Sequence, residues 1–469
     1  MKVGSIVLCA GASSRMKSEK SKMLQTLSGK PLCYFSINNA LSLSDYQPIV
    51  VIGHQGQEVQ NELTNFFGKN IDFATQKVLD GTASAVKTGL SKLANDCESV
   101  LVIYGDTPLL TKNSLERLIN LQKRSHVPIA MLSTTTDTPS GYGRIIRNQQ
   151  EQVTHIIEEK DASLSQKEVK EINPGIYVFD AKFLKETIVN LNNNNASKEY
   201  YLTDIIKSYV SSGSGFGPIE TLDVPYEEVL GVNDYVQLSL ASKIMNNRIL
   251  TKHMLQGVNI IDANNTYIED SVRIASDVTI YPNTHLRGAT HIAAGVVIEN
   301  GSIISDSSIE AKAHIYAYSV LEQAHIGTNS QVGPFARLRP QTHLESFVKI
   351  GNFVEVKKSI IKENSKVNHL AYIGDSEIGK SCNIGAGVVT CNFDGQNKHT
   401  TTILDNSFVG SNATLIAPLI IGKNSYIAGG STITHEVPTE SLAFGRARQV
   451  IKPLKKPKKT NSQIKEIDI

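Results

Sequence analysis

Cysteine is scarce and unpatterned in this 469-residue chain. Cys9, Cys33, Cys97, Cys382 and Cys391 are odd in number and share no spacing, so no disulfide framework is indicated and reduced thiols in a cytoplasm are expected. Charge of either sign is not in excess: the formal net charge is +2, which gives no sign of a nucleic-acid surface over the whole chain. Residues 1–16 lead directly into a strand and a glycine turn, without a basic region followed by a long apolar run, so no targeting or membrane-spanning segment is expected. Histidines and carboxylates nowhere take a metal-ligand spacing, so a zinc site is not expected.

What is present is a six-residue apolar repeat in the second half. An aliphatic residue recurs at Ile268, Ile274, Ile280, Leu286, Ile292, Ile298 and Ile304, then at Ile326, Val332, Leu338, Leu344, Ile350 and Val356. Many such positions precede glycine, as in Ile326-Gly327, Ile350-Gly351 and Ile384-Gly385. This period specifies a parallel β-helix over residues 257–450, with three short strands per triangular coil and the aliphatic side chains stacked inward. One coil cannot bury its own apolar face, so roughly ten are expected to stack. His285, His291, His314, His325 and His343 are expected at solvated corners.

Residues 1–228 follow another pattern, short apolar runs alternating with helical segments. Ser5–Leu8, Ile49–Ile52 and Val100–Tyr104 have the continuous apolar character of strands buried on both faces of a parallel sheet. Helices are expected over 32–43 and 82–93, giving an α/β doubly wound, Rossmann-like domain with ligands at the carboxyl ends of its strands. Residues 229–256 read as a linker helix with Asn233 or Asp234 near its start and Val236, Leu240, Ile244, Leu250 and Met254 on one face. Residues 451–469, with Lys452, Lys455, Lys456, Lys458 and Lys459, read as a basic, solvated tail.

The first strand ends in Leu8-Cys9-Ala10-Gly11, followed by Arg15 and Lys22. Small residues let backbone N–H groups approach a triphosphate, and the two cations supply charge for phosphoryl transfer; a plain strand-to-helix turn also fits this stretch. Asp106 closes another apolar strand, where a carboxylate suits a hard cation such as Mg²⁺, or simply caps the next helix. In the second half, the run from Arg337 to Lys398 concentrates cations, amides and His369 on successive coils. Residues 391–401 break the repeat and are expected to leave the coil as a loop, the usual seat of binding residues on a rigid repeat.

The ordered elements Ala10-Gly11, Arg15-Met16, Lys22, Gly81-Thr82, Tyr104-Gly105-Asp106, Gly141–Arg144, Glu158–Asp161, Glu171–Asn173, Glu199–Asp204 and Gly231–Asn233 resemble the sugar-nucleotidyltransferases. With the β-helix attached, they are most similar to the bifunctional N-acetylglucosamine-1-phosphate uridyltransferase/glucosamine-1-phosphate acetyltransferase family over nearly the whole length. The resemblance implies that the β-helix is left-handed and acetylates glucosamine 1-phosphate with acetyl-CoA. The first domain would then transfer UMP from UTP to the product with Mg²⁺ present and release pyrophosphate. It implies that Leu8, Gly11, Arg15 and Lys22 meet the nucleotide, that Gln76, Gly81 and Thr82 surround the uracil, and that Asp106 and Asn233 hold Mg²⁺. Gly143, Glu158 and Asn173 would contact the sugar.

In the acetyltransferase half, the resemblance implies His369 as general base. Arg339, Lys357 and Lys398 would bind the sugar phosphate, and Tyr372 and Asn383 the sugar. Asn392 would meet the amine or developing oxyanion, while Phe393, Ala386, Ser411, Gly429 and Arg446 would line the acetyl-CoA site. It further implies homotrimers, with each acetyl site built from neighbouring chains. The chain departs from the family pattern at Ser13, Ser14, Ser21, Asp80, Ala83, Pro174 and Phe393. Two other functions fit the residues taken alone: a single-activity nucleotidyltransferase with a scaffolding β-helix, or an acetyltransferase whose first domain binds nucleotide without turnover.

Overall fold

The computed structural model describes residues 2–11, 14–212 and 217–454. Ser13 and the lysines from Lys455 onward lie outside the described residues. Two compact units emerge: one ends at Leu255 and also takes in Tyr267–Ser271, and the other comprises Gln256–Thr266 and the chain from Val272 on.

In the first unit, ten strands form one mixed sheet: β1 (Val3–Leu8), β2 (Ile49–Ile52), β3 (Asp72–Thr75), β4 (Ser99–Tyr104), β5 (Ile129–Thr135), β6 (Gly143–Arg147), β7 (Val153–Ile157), β8 (Glu171–Asn173), β9 (Tyr177–Asp180) and β10 (Glu220–Asp223). Their order is β3-β2-β1-β4-β9-β5-β8-β6-β7, with β10 paired to β5. The continuous apolar runs form β1, β2 and β4 of the parallel part, β3-β2-β1-β4, with the less buried β3 at its edge. Beyond β4 the sheet turns antiparallel through β9, a change the sequence pattern did not announce. From β1 the chain steps outward to β2 and β3, then crosses back to β4 on the other side. The carboxyl ends of β1 and β4 therefore bound a topological switch point.

Alternate residues of β1 feed two cores. Ile6 and Leu8 pack with Ala83, Val86 and Leu90 of one helix (Thr82–Leu90), and Val3 and Val7 pack with Ile37 and Ala40 of another (Tyr34–Leu43). The long helix spans Tyr235–Leu255 and belongs to this unit. The Asp234 carboxylate caps it by accepting from the Gln237 N–H at 2.8 Å. Of the expected apolar face, Leu250 is buried, but Val236 and Leu240 are 80% and 47% exposed, and Ala241, Met245, Ile249 and His253 form the rest of the buried stripe. Both stripes have four-residue spacing; alanine and histidine made the true one less conspicuous than the aliphatic alternative.

The second unit stacks its strands in parallel on three faces, with Ile280 beside Ile298, Leu286 beside Ile304 and Ile350 beside Val367. The repeated aliphatic residues fill the axis; Leu338, Leu344 and Val356 have no exposed surface. One face carries Lys349–Asn352, Lys366–His369, Asn383–Ile384 and Phe408–Val409, and the second carries Glu355–Lys357, Tyr372–Gly374, Val389–Cys391 and Thr414–Ile416. On the third lie Ile360–Ile361, Ser376–Ile378 and Thr401–Ile403. The five histidines expected at corners stand instead within strands, and His325 and His343 stack ring on ring at 4.4 Å. Strand pairing sets neighbouring coils at about the 5 Å spacing that aligns such rings.

Among the described residues, no helix is long and apolar enough to cross a membrane. All five cysteines are free thiols, with Cys391 half-buried and the others buried.

Candidate functional sites

In the first unit, Lys22, Asp106 and Asn233 converge from three distant segments. The Lys22 ammonium donates to Asp106 Oδ2 at 2.6 Å and to Asn233 Oδ1 at 3.0 Å, while Arg15 Nη2 donates to that same Asn233 oxygen at 2.9 Å. Asp106 follows β4 and Lys22 follows β1, so both stand at the switch point. Leu8, Gly11, Lys22, Gln76, Gly81, Thr82 and Asp106 all line one cleft of about 320 Å³. Gln76 Nε2 donates to the Gly81 carbonyl at 3.1 Å, and the Thr82 hydroxyl accepts from the Leu202 N–H at 3.0 Å, which fixes this rim. Gly81 adopts φ +126°, and a Cβ there would stand 2.4 Å from the Tyr200 carbonyl oxygen, so the turn requires glycine.

A second cleft of about 260 Å³ adjoins the first and shares Thr82, Tyr104, Asp106 and Glu199 with it. Gly143, Glu158, Asn173 and Asn233 line it. Asn173 is locked by donating to the Tyr177 hydroxyl at 2.7 Å and accepting from the Gly175 N–H at 3.0 Å. Burial pushes the Glu158 carboxyl above its usual value, partly offset by the Thr203 hydroxyl, which donates to Oε1 at 3.0 Å. Burial also pushes the nearby Tyr142 phenol up to about 12, so it stays neutral while its oxygen accepts from the Gly231 N–H at 3.3 Å.

On the β-helix, His369 ends a first-face strand at an exposed corner. Its Nδ1 lies 2.8 Å from Asn352 Oδ1, the residue beside it on the preceding coil. An amide oxygen only accepts, so Nδ1 donates in this bond and Nε2 is the ring nitrogen left for another partner. Leu370, Gly387, Asn412 and Gly430 turn this corner at positive φ, which brings Ala386, Ser411 and Gly429 into a column above His369. Arg446 Nη1 donates to the Gly429 carbonyl at 3.0 Å.

The second face gathers Arg339, Glu355, Lys357 and Tyr372. Arg339 pairs with Glu355 at 2.9 Å, and Glu355 lies beside Tyr372 on the next coil. Residues 392–400 leave the coil as a loop between two strands, carrying Asn392, Phe393 and Lys398. Lys357 alongside pushes the Lys398 ammonium below its ordinary value. Asn383 lies on the first face, away from this group within one chain.

Comparison with known proteins decides the family. A MobA-like NTP transferase domain matches residues 5–169, and bacterial transferase hexapeptide repeats match residues 400–435. Full-length relatives share the name bifunctional protein GlmU. The relative from Streptococcus thermophilus is 44% identical over 98% of this chain and 99% of its own. That from Geobacillus sp. is 43% identical over 95% and 96%, and that from Acetivibrio thermocellus 40% identical over 95% of each. The chain belongs to the GlmU family.

The chain thus joins a nucleotidyltransferase domain to an acyltransferase left-handed β-helix. Its departures from the family pattern find different places in the structure. Ser21 and Ala83 are buried beside the first cleft, and Pro174 lines the adjoining one. Asp80 Oδ1 is buried without a hydrogen-bond partner among the described residues, and Phe393 is 59% exposed on the loop. Tyr104 and Glu199, which stand within longer sequence motifs, line both clefts. Asp375, packed beneath the loop, carried no signal in the sequence.

Proposed function

We propose that the two constellations divide the work of making UDP-N-acetylglucosamine between the two halves of the chain. The enzyme is bifunctional, an acetyltransferase and a uridyltransferase, and acetyl-CoA and a nucleoside triphosphate are its co-substrates. What supports the reading is that each unit carries its own cluster of charged and acid–base side chains: Lys22 with Asp106 and Asn233 in the first, and His369 with Asn352 and Lys357 with Asp375 in the second.

In the acetyltransferase half, Arg339, Lys357 and Lys398 hold the phosphate of glucosamine 1-phosphate, and Tyr372 and Asn383 hold its sugar. His369 Nε2 takes a proton from the 2-amino group as nitrogen bonds to the thioester carbonyl carbon. Asn392 stabilises the developing oxyanion, the carbon–sulfur bond breaks, and CoA leaves. Ala386, Phe393, Ser411, Gly429 and Arg446 line the CoA path. A neutral imidazole with one nitrogen tied and the other free suits this task.

In the first half, Gly143, Glu158 and Asn173 seat the N-acetylated sugar, and Gln76, Gly81 and Thr82 seat uracil. Arg15 and Lys22 leave their apo partners for the triphosphate. The sugar phosphate oxygen attacks the α-phosphorus and pyrophosphate departs, so positioning and charge neutralisation carry the step. Asp106 Oδ2 and Asn233 Oδ1 already face one cation, the Lys22 ammonium, and this hard-oxygen pair fits Mg²⁺. When bound there, Mg²⁺ supplies charge neutralisation to the phosphates.

Homotrimers follow from the same reading. At one β-helix corner Tyr318, Phe335 and Phe353 stack at 5.2 and 5.4 Å, and Leu370 continues the column at 63% exposure. Such a strip supports association, and the cytoplasm is the proposed compartment.

The test is one sample of full-length protein with glucosamine 1-phosphate, acetyl-CoA, UTP and Mg²⁺, followed for free thiol and pyrophosphate together. Both are expected. Thiol without pyrophosphate, even with N-acetylglucosamine 1-phosphate supplied, would leave only the acetyltransferase half of the reading standing.

A further inference from the structure

Asp375 closes a second-face strand and turns the chain at φ +46°. Asp306, Gln323, Gln341 and Lys358 turn the same corner on preceding coils, each with left-handed φ, and all four are exposed. Asp375 is only 7% exposed, because the 392–400 loop leaves the next coil at this corner. A carboxylate withdrawn from water at a surface turn is costly unless paired. Its partners are side chains of the acetyl-transfer site: Oδ2 accepts from Asn392 Nδ2 and lies 3.7 Å from Lys357 Nζ, while Oδ1 lies 3.5 Å from Lys358 Nζ.

Three ammonium groups thus crowd one carboxylate, for Lys398 stands against Lys357. The other charged or titratable groups near it are the Arg339–Glu355 pair, Glu322, Arg337, the Tyr372 phenol and Cys391 on this face, and the His399–Asp394 pair on the loop. Two adjacent ammonium groups favour loss of one proton, and a carboxylate within about 4–6 Å opposes that loss.

We propose that Asp375 is the positioning residue of the acetyl-transfer site, fixing Asn392 and Lys357 beneath the loop and offsetting the crowded positive charge that faces the substrate phosphate. This rests on the assignment of acetyl transfer to the β-helix. Asp375 itself touches no reacting atom; it acts through the groups that do.

The experiment uses full-length Asp375→Asn. Binding of glucosamine 1-phosphate is measured by calorimetry, and KM and kcat for acetyl transfer by thiol release, from pH 7 to 9.5. The substrate amine titrates equally with both proteins, so the difference between them is the readout. Weakening of binding at high pH should begin about one pH unit lower in the variant, giving about tenfold higher Kd and KM near pH 9. Uridylyl transfer in the same preparation should be retained.

A variant with wild-type pH dependence and merely a lower melting temperature would overturn the proposal while leaving the acetyltransferase reading intact. A wild type that binds no glucosamine 1-phosphate would overturn both. Asp375→Glu provides a second arm should the asparagine variant fail to fold. It keeps the charge but lengthens the arm, so the pH dependence should match wild type while kcat falls about tenfold through displaced Asn392. Unchanged kcat in that variant would remove the positioning claim.

Discussion

Glu158 answers to two opposed demands, burial in the wall of the second cleft and service as an acceptor. Burial raises its pKa above the ordinary carboxylate range, with Asp161, Asp204 and Glu199 adding to the rise. A carboxyl raised on folding adds stability that is complete below its unfolded pKa and is lost as pH climbs through the raised value. Glu158→Gln keeps an oxygen for the Thr203 hydroxyl and removes the charge. Its melting temperature should exceed wild type at pH 8 and match it near pH 4, while uridylyl transfer falls; thermal melts at the two pH values check this. Equal melting at both would show that ionised Glu158 costs the fold nothing. Such a cost was invisible in sequence, where Glu158 was one acid in an acidic run. Lys22, Asp106 and Asn233 were legible because each stood in a separate short motif. Asp375 was not, since only the folded loop hides it from water.

Among the elements, the coils leave little freedom. Gly351 stands in the strand before Asn352, and a Cβ there would lie 1.8 Å from the Asn368 carbonyl oxygen of the next coil. Gly351→Ala must therefore push the strand carrying His369. Acetyl transfer should drop more than tenfold with uridylyl transfer retained, because small misplacements cost catalysis heavily; activities of both kinds in one preparation decide it. The six-residue period made this half readable, as every coil repeats one demand, an aliphatic side chain on the axis. The mixed sheet was readable only through β4. Apart from the β6–β7 hairpin, its antiparallel strands are paired by partners far along the chain, which no local pattern encodes. In the long helix, the conspicuous aliphatics Val236 and Leu240 stayed in solvent while small Ala241 met the core.

For the molecule as a whole, His369 and Asn383 provide the sharpest question. Both lie on first-face strands of adjacent coils, with Asn383 away from the second-face cations. If each acetyl site draws them from different chains, His369→Ala and Asn383→Ala, each expected to lose about a hundredfold or more alone, should complement when co-expressed. Random assembly at equal ratio would recover about a quarter of wild-type sites, roughly one in each mixed trimer. Absence of recovery in mass-verified mixed trimers would place both residues in one chain's site.

The 392–400 loop bears on how such a protein can change. Ser376 still lies beside Thr401, and Val389 beside Thr414, across the inserted residues. Distance along the chain is distance along a rod, and each layer rests only on its neighbours. A side arm added at a corner leaves every other layer where it was. New chemistry can thus be hung on the shaft like a bracket, without rebuilding the shaft.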